Sequence, residues 1–199
     1  MPVSSNAGIE ISAFNWVPDF ARGLVRDLRV RWALEEAGLD YRVRLYDATT
    51  PRPEDYFLEQ PFGQVPVFIE GDVHMFETGA IALHLGARSE ELLPRDEIGR
   101  ARATCWVVAA LNSVEPLIQQ LAGIDIFHAN EDWARQRRPE VVRLVRERLA
   151  RLAAHLGDKD YLEGRFTVGD LIMTTVLRNL RHTDLVSENA KLAAYVARC

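Results

Sequence analysis

The chain has 199 residues, which is enough for one large domain or two small ones. Hydrophobic residues make up 48% of it and charged residues 27%, a globular composition that excludes the disordered and fibrous classes. The formal net charge of −5 gives nucleic acid no general electrostatic attraction, so we expect no nucleic-acid partner.

The cysteines and the N-terminal segment indicate the cellular compartment. Cys105 and Cys199 lie far apart and no His/Cys spacing suits zinc, so we expect a reduced protein without a metal. The start MPVSSNAGIE lacks the basic segment and apolar core of a signal peptide. No apolar run reaches the roughly 18 residues of a membrane span. These features predict a cytoplasmic protein with no membrane partner.

The first part of the chain alternates between strand and helix patterns. IEISAF (Ile9–Phe14) and YRVRLY (Tyr41–Tyr46) alternate in polarity as strands do. Between them, LVRDLRVRWALEEAG has apolar residues at helical spacing and ends at a glycine, Gly38. Strand, helix and strand within about forty residues predict a βαβ unit with parallel pairing and a right-handed crossover.

A hairpin and a second helix follow the βαβ unit. VPVFI and VHMF are separated by EGD, which fits a hairpin, and ETGAIALHLG is predicted to be a helix. The order βαβ-ββα matches a thioredoxin-like α/β domain, which we place at residues 8–88. Pro66 stands at the entrance of the third strand, where its missing N–H is tolerated. A trans proline that only begins the strand would give the same pattern.

The remaining residues, 96–199, predict an all-α C-terminal domain. Ala103, Val107, Ala110 and Val114 share a core-facing stripe, and Cys105 is expected to be a buried thiol of that helix. Pro139 is expected in the first turn of the next helix. RFTVGDL (165–171) has an N-cap threonine with an aspartate at N3, and it predicts the start of a central buried helix.

Three stretches together resemble the cytosolic glutathione transferase family: QPFGQVPVF with ETGAIALHLG, VRWALEEAGLDY, and RFTVGDL. The resemblance covers nearly the whole chain in the family's order. It implies that the peptide bond before Pro66 is cis and that the Val65 main chain pairs with the cysteinyl part of glutathione, the co-substrate. Gln64 is a further candidate contact through its side chain, whereas Gln60 is not expected to contribute.

Glu77 and Thr78 stand between a strand and a helix, where free N–H groups and the helix dipole favour a carboxylate. By the resemblance, Thr78 holds the γ-glutamyl carboxylate and Glu77 holds the ammonium group. Thr78 as a simple helix cap is the alternative, and the two roles are compatible.

The loop after Phe14 departs from the family pattern. The family usually supplies a Tyr, Ser or Cys to stabilise the glutathione thiolate, and NWVPDFARGLVRD contains none of them. Asn15 and Trp16 carry N–H donors and are the candidate catalytic residues. Arg22 is a candidate source of charge, and a backbone N–H of the loop or of the following helix is the alternative donor. Ser12 lies within the strand and is discounted.

The resemblance implies a homodimeric glutathione S-transferase that attacks a small hydrophobic electrophile, with a role in detoxification. Two other functions stay open. One is glutathione-dependent disulfide reduction or peroxidase activity, and the other is a non-catalytic binding module that has kept the fold.

Overall fold

The structure is a computed structural model and it describes residues 3–199. The chain divides into two compact units, one ending at Arg95 and the other spanning Asp96–Cys199. Each unit has its own core.

A four-stranded mixed sheet forms the centre of the first unit. Its strands are β1 (Ile9–Phe14), β2 (Tyr41–Tyr46), β3 (Phe68–Glu70) and β4 (Val73–Met75). They lie in the order β2-β1-β3-β4; β1 pairs in parallel with β2 and antiparallel with β3, and β3 pairs antiparallel with β4. The predicted parallel βαβ unit and the hairpin are therefore confirmed.

Helices complete the thioredoxin-like order βαβ-ββα. They are α1 (Asp27–Glu36), the short α2 (Tyr56–Glu59) and α3 (Thr78–Gly86). Ile11 and Phe68 of the sheet, Leu34 of α1 and Leu85 of α3 are all fully buried in the core of this unit. The first helix was expected from Leu24. It begins at Asp27 instead, because the Leu28 and Arg29 N–H groups donate to the carbonyls three residues earlier, as in a tight turn, and not four residues earlier as in an α-helix.

The second unit is helical. Its helices are α4 (Glu97–Ala109), α5 (Glu115–Ala122), α6 (Asp132–Leu156), α7 (Val168–Leu177) and α8 (Ala190–Arg198). Wider π-helical turns at Ala110–Val114 and Gly123–Phe127 make α4, α5 and the following turn one continuous run. This run, Glu97–Phe127, is long and apolar enough to cross a membrane by composition, a property that core helices of soluble proteins share. Its buried residues recur at helical spacing, as they do in a core helix.

Two expectations for this unit are wrong. Pro139 lies inside α6 and not in its first turn, because the helix already begins at Asp132. Val141 and Val145 are buried in the turns that follow Pro139, and the free energy of this packing offsets the loss of the backbone hydrogen bond that proline cannot donate. Cys105 is exposed and not buried. It follows buried Ala103 by two positions, about 200° around the helix, so it faces away from the core.

The RFTVGDL motif forms the capping box that the sequence predicts. Thr167 is the N-cap of α7, and the Asp170 side chain accepts a hydrogen bond from the Thr167 backbone N–H at 3.0 Å. Gly169 lies in the same turn, where the helix approaches Trp106 of α4 closely. Nearly every residue of α7 is buried, so it is the central helix of its unit.

Candidate functional site

The segment joining α2 to β3 contains a cis peptide bond between Val65 and Pro66, as expected from the resemblance. Val65 is only 6% exposed. Within residues 3–199, its backbone N–H and C=O make no hydrogen bond. Buried backbone groups are nearly always paired, so the Val65 main chain is suited to an external partner with a donor and an acceptor.

The N-terminus of α3 lies in the same unit and is open to an anion. Over the described residues, the backbone N–H groups of Thr78, Gly79 and Ala80 have no partner, and the Glu77 side chain does not cap the helix. Glu77 itself has a φ of 70° and a ψ of 110°, a conformation that few non-glycine residues adopt. Free N–H groups and the helix dipole make this end attractive to a carboxylate.

Arg29 of α1 supports this end of α3, and the sequence analysis missed it. It is 3% exposed, and its Nη1 donates to Thr78 Oγ1 at 3.4 Å. A guanidinium only donates, so the Thr78 hydroxyl keeps its proton for another acceptor. The signal was present in the sequence, because Arg29 precedes Val30 on the apolar side of α1, where a charged residue is unusual.

The two glutamines near Val65 differ in their surroundings. Gln60 is 2% exposed, and its Oε1 accepts a hydrogen bond from the Phe62 backbone N–H at 2.7 Å. It is therefore a structural residue. Gln64 is exposed, and its side chain has no hydrogen-bond partner in the part of the chain that the structure describes, so it is free to contact a ligand beside Val65.

The loop between β1 and α1, residues 15–26, folds beside α1 and leaves a cleft of about 260 Å³. Asn15, Trp16 and Arg22 line this cleft together with the first turns of α1. The Asn15 side chain is exposed and the Trp16 side chain is 54% exposed, so the amide and the indole N–H are both accessible donors. Arg22 forms an ion pair with Asp19 at 3.3 Å.

The loop cleft contains only part of the predicted site. Gln64, Val65, Pro66, Glu77 and Thr78 are not among the residues that line the loop cleft. The two regions adjoin through the first turn of α1, where Leu28 lines the cleft and the next residue, Arg29, contacts Thr78.

Two groups near this site have displaced pKa values. Burial raises the pKa of Asp27, which lines the cleft, although its ion pair with Arg31 at 2.9 Å opposes that change. Burial also raises the pKa of Tyr56, so its hydroxyl stays protonated at neutral pH. Over residues 3–199, no cluster of three or more His, Cys, Asp or Glu side chains is arranged to hold a metal ion.

The structure has a thioredoxin-like domain followed by a helical one. The first domain contains both the unpaired Val65 main chain and the open N-terminus of α3. The model of the glutathione S-transferase N-terminal domain matches residues 21–87. Glutathione S-transferase 3 of Zea mays is 30% identical over 158 residues, which cover 72% of this chain and 68% of that protein. Glutathione S-transferase 4 of Zea mays is 31% identical over 166 residues, covering 78% and 73%.

Solved structures agree on the fold. A glutathione transferase of Burkholderia graminis, with two glutathione molecules bound per subunit, superposes with a TM-score of 0.82 at 22% identity and covers 95% of this chain and 82% of its own. Glutathione transferase F7 of Populus trichocarpa has a TM-score of 0.80 at 19% identity, covering 95% and 92%. The chain belongs to the glutathione S-transferase family.

Proposed function

We propose that this protein binds glutathione, holds its sulfur as a thiolate and directs it at a hydrophobic electrophile. The thiol proton leaves to solvent, the sulfur electron pair forms a bond to the electrophilic carbon, and the bond from that carbon to its leaving group breaks, so the leaving group departs with the electron pair. One observation carries the proposal: the buried Val65 main chain has a donor and an acceptor without partners. An extended tripeptide can supply both, as an added strand does.

The two ends of the γ-glutamyl group match the chemistry at α3. Its carboxylate is suited to the free N–H groups of the first turn and to the Thr78 hydroxyl, which Arg29 leaves free to donate. Its ammonium group is suited to the Glu77 carboxylate, which forms no ion pair within the described residues. Gln64 offers an additional side-chain contact. On this proposal residues 8–88 form the glutathione-binding domain, and 96–199 form the helical domain.

Thiolate stabilisation is assigned to the N–H donors of the loop. Lowering the thiol pKa from about 8.5 to about 6.5 is worth about 2.7 kcal/mol, which one or two well-placed donors supply. Asn15 and Trp16 are our candidates because both are exposed and line the cleft, with Arg22 adding positive charge. A backbone N–H in residues 15–27 is the alternative donor.

The binding site is tested by titrating glutathione into the wild type, Thr78→Val and Thr78→Ser. The wild type is expected to bind, the valine variant to lose about 10-fold or more in affinity, and the serine variant to retain it, because the hydroxyl is the group at issue. Absence of wild-type binding would overturn the proposal. Equal affinity of the valine and serine variants would remove Thr78 from it.

Thiol activation is tested separately by the ultraviolet absorbance of bound glutathione. A thiolate band at neutral pH is expected in the wild type, and Asn15→Ala or Trp16→Ala should weaken it. If both variants retain the band and the turnover, the donor is a backbone N–H. Binding of glutathione without a thiolate band would favour the second candidate function, a non-catalytic binding module. The lack of Tyr, Ser or Cys in residues 15–26 is the observation that supports this candidate. Turnover of disulfides or peroxides in place of electrophiles would favour the reductase or peroxidase.

We also propose that the protein is a homodimer. Phe62 is 66% exposed and packs edge-to-face on Phe76, which is 37% exposed, at 6.1 Å between ring centroids. The ring of exposed Phe57 lies against Gly63, the residue after Phe62, and we propose that a second copy covers the apolar surface that these phenylalanines present. Light scattering should give twice the mass of the 22.6 kDa chain, and Phe62→Ser should lower it, whereas Trp133→Ser in the second unit should not. A monomeric wild type would contradict the assignment.

The free thiols of Cys105 and Cys199 suit a reducing compartment, and a cytoplasmic role in the detoxification of electrophiles is part of this proposal.

A further inference from the structure

Three hydrogen bonds, two of them buried and one part-buried, connect β1, α2 and the segment that contains Val65. The Val67 backbone N–H donates to Ser12 Oγ at 2.7 Å, Ser12 Oγ lies 2.8 Å from the Tyr56 hydroxyl, and that hydroxyl lies 2.6 Å from the Gln64 carbonyl oxygen. Ser12 and Tyr56 are each 1% exposed. We call this arrangement the Ser12–Tyr56 relay.

The direction of each hydrogen bond follows from the chemistry of the groups. A carbonyl only accepts, so Tyr56 uses its single proton on Gln64. The Tyr56 oxygen must then accept from Ser12, whose oxygen accepts the Val67 N–H. Each hydroxyl therefore donates once and accepts once, and the relay holds no spare proton. The raised pKa of Tyr56 agrees with its use as a donor at neutral pH.

The relay fixes the segment on both sides of Val65. Tyr56 holds the carbonyl of the residue before Val65, and Ser12 holds the N–H of the residue after Pro66. The Ser12 backbone N–H also donates to the Val67 carbonyl at 3.0 Å. Between these attachments, the Val65 N–H and C=O stay unpaired within residues 3–199. The segment is therefore fixed at Gln64 and Val67, and the backbone groups of Val65 between them are available to a ligand.

We propose that Ser12 and Tyr56 are positioning residues that pre-orient the Val65 main chain for glutathione. This inference rests on the proposed function, because it assigns a role to residues that act through the Val65 backbone and do not touch the tripeptide. Preorganisation of this kind lowers the ordering cost of binding. Its loss should therefore appear in the affinity for glutathione and not in the chemical step.

Tyr56→Phe and Ser12→Ala remove one hydroxyl each while the Tyr56 ring keeps its packing on Tyr46, at 4.7 Å between centroids. Each variant should raise KM and Kd for glutathione about 10-fold while kcat at saturating glutathione stays within about 2-fold. The double variant should lose more affinity than either single variant, because it frees both ends of the segment, but less than the product of the two losses, because the two hydroxyls share one hydrogen bond. Ser12→Thr, which keeps the hydroxyl, should restore part of the affinity.

Tyr46→Phe is the matched control. Tyr46 neighbours Tyr56, and over the described residues its hydroxyl makes no hydrogen bond, so this variant should bind like the wild type. Wild-type affinity in Tyr56→Phe, or equal losses in Tyr46→Phe and Tyr56→Phe, would overturn the relay while leaving the proposed function intact. So would a lower melting temperature with unchanged KM, which shows a purely structural role. Absence of glutathione binding by the wild type would overturn both.

Discussion

Substitution of Gly169 by alanine should destabilise the helical unit, although helix propensity alone favours alanine. A Cβ built at Gly169 lies 2.6 Å from Trp106 Cβ and 3.2 Å from the Ala103 carbonyl oxygen. Carbon atoms prefer about 3.5–4.0 Å, so α4 and α7 must separate by about 1 Å. Overpacking of this size costs about 1–3 kcal/mol, which lowers the melting temperature by about 2–12 °C in a chain of this length.

Gly123→Ala is the matched control, because Gly123 is also helical but has nothing within 4 Å of its Cβ position. It should raise the free energy of unfolding by up to about 1 kcal/mol. Thermal and urea unfolding of both variants measures whether each substitution lowers or raises the free energy of unfolding. A Gly169→Ala protein as stable as the wild type would refute the close approach of Trp106 to α7.

Three further substitutions test the site and the caps. Glu77→Gly should raise the free energy of unfolding by about 1 kcal/mol by relieving the positive φ, and it should weaken glutathione binding in calorimetry, because the ammonium partner is lost. Thr167→Ala should lower stability by about 1 kcal/mol in urea unfolding, through loss of the cap on α7. Asp27→Asn should gain stability relative to the wild type as the pH rises from about 3 to about 7. Burial raises the folded-state pKa of Asp27 above 3.8, so ionisation of this carboxyl costs the wild type stability over that rise, and the asparagine variant avoids this one cost.

Much of the fold could be predicted from the sequence because local patterns and tertiary packing agree. Alternating polarity marked β1 and β2 to the residue, and the capping box marked the start of α7. The errors occurred where packing overrides a local signal. Proline is typical of the first turn of a helix, yet α6 continues on both sides of Pro139 because its apolar face is packed into the core. Cys105 was expected to be buried because it lies among the apolar residues of the α4 stripe, but its angular position on the helix exposes it.

The sequence analysis named candidate site residues only as neighbours in sequence. Val65 with Pro66, and Glu77 with Thr78, are adjacent pairs, and the family resemblance supplied their expected roles. Arg29 was missed because its partner lies on another helix. Ser12 and Tyr56 were missed because their hydrogen bonds join a strand and a helix 44 residues apart, and no spacing rule reports such a contact.

The Ser12 hydroxyl is not available to the glutathione thiol. It is committed to Val67 and Tyr56, so it cannot also stabilise a thiolate, and residues 15–26 offer N–H donors only from Asn15, Trp16, arginines and the backbone. Amide, indole and backbone N–H groups do not ionise in the neutral range, so they add no ionisation of their own. The pH profile of kcat/KM for the electrophile, measured at saturating glutathione, should therefore rise with one ionisation, that of the bound glutathione thiol. Its pKa should lie below the ordinary thiol value of about 8.5. A second ionisation that disappears in a variant of a protein side chain would show that an acid or base outside this loop performs the activation.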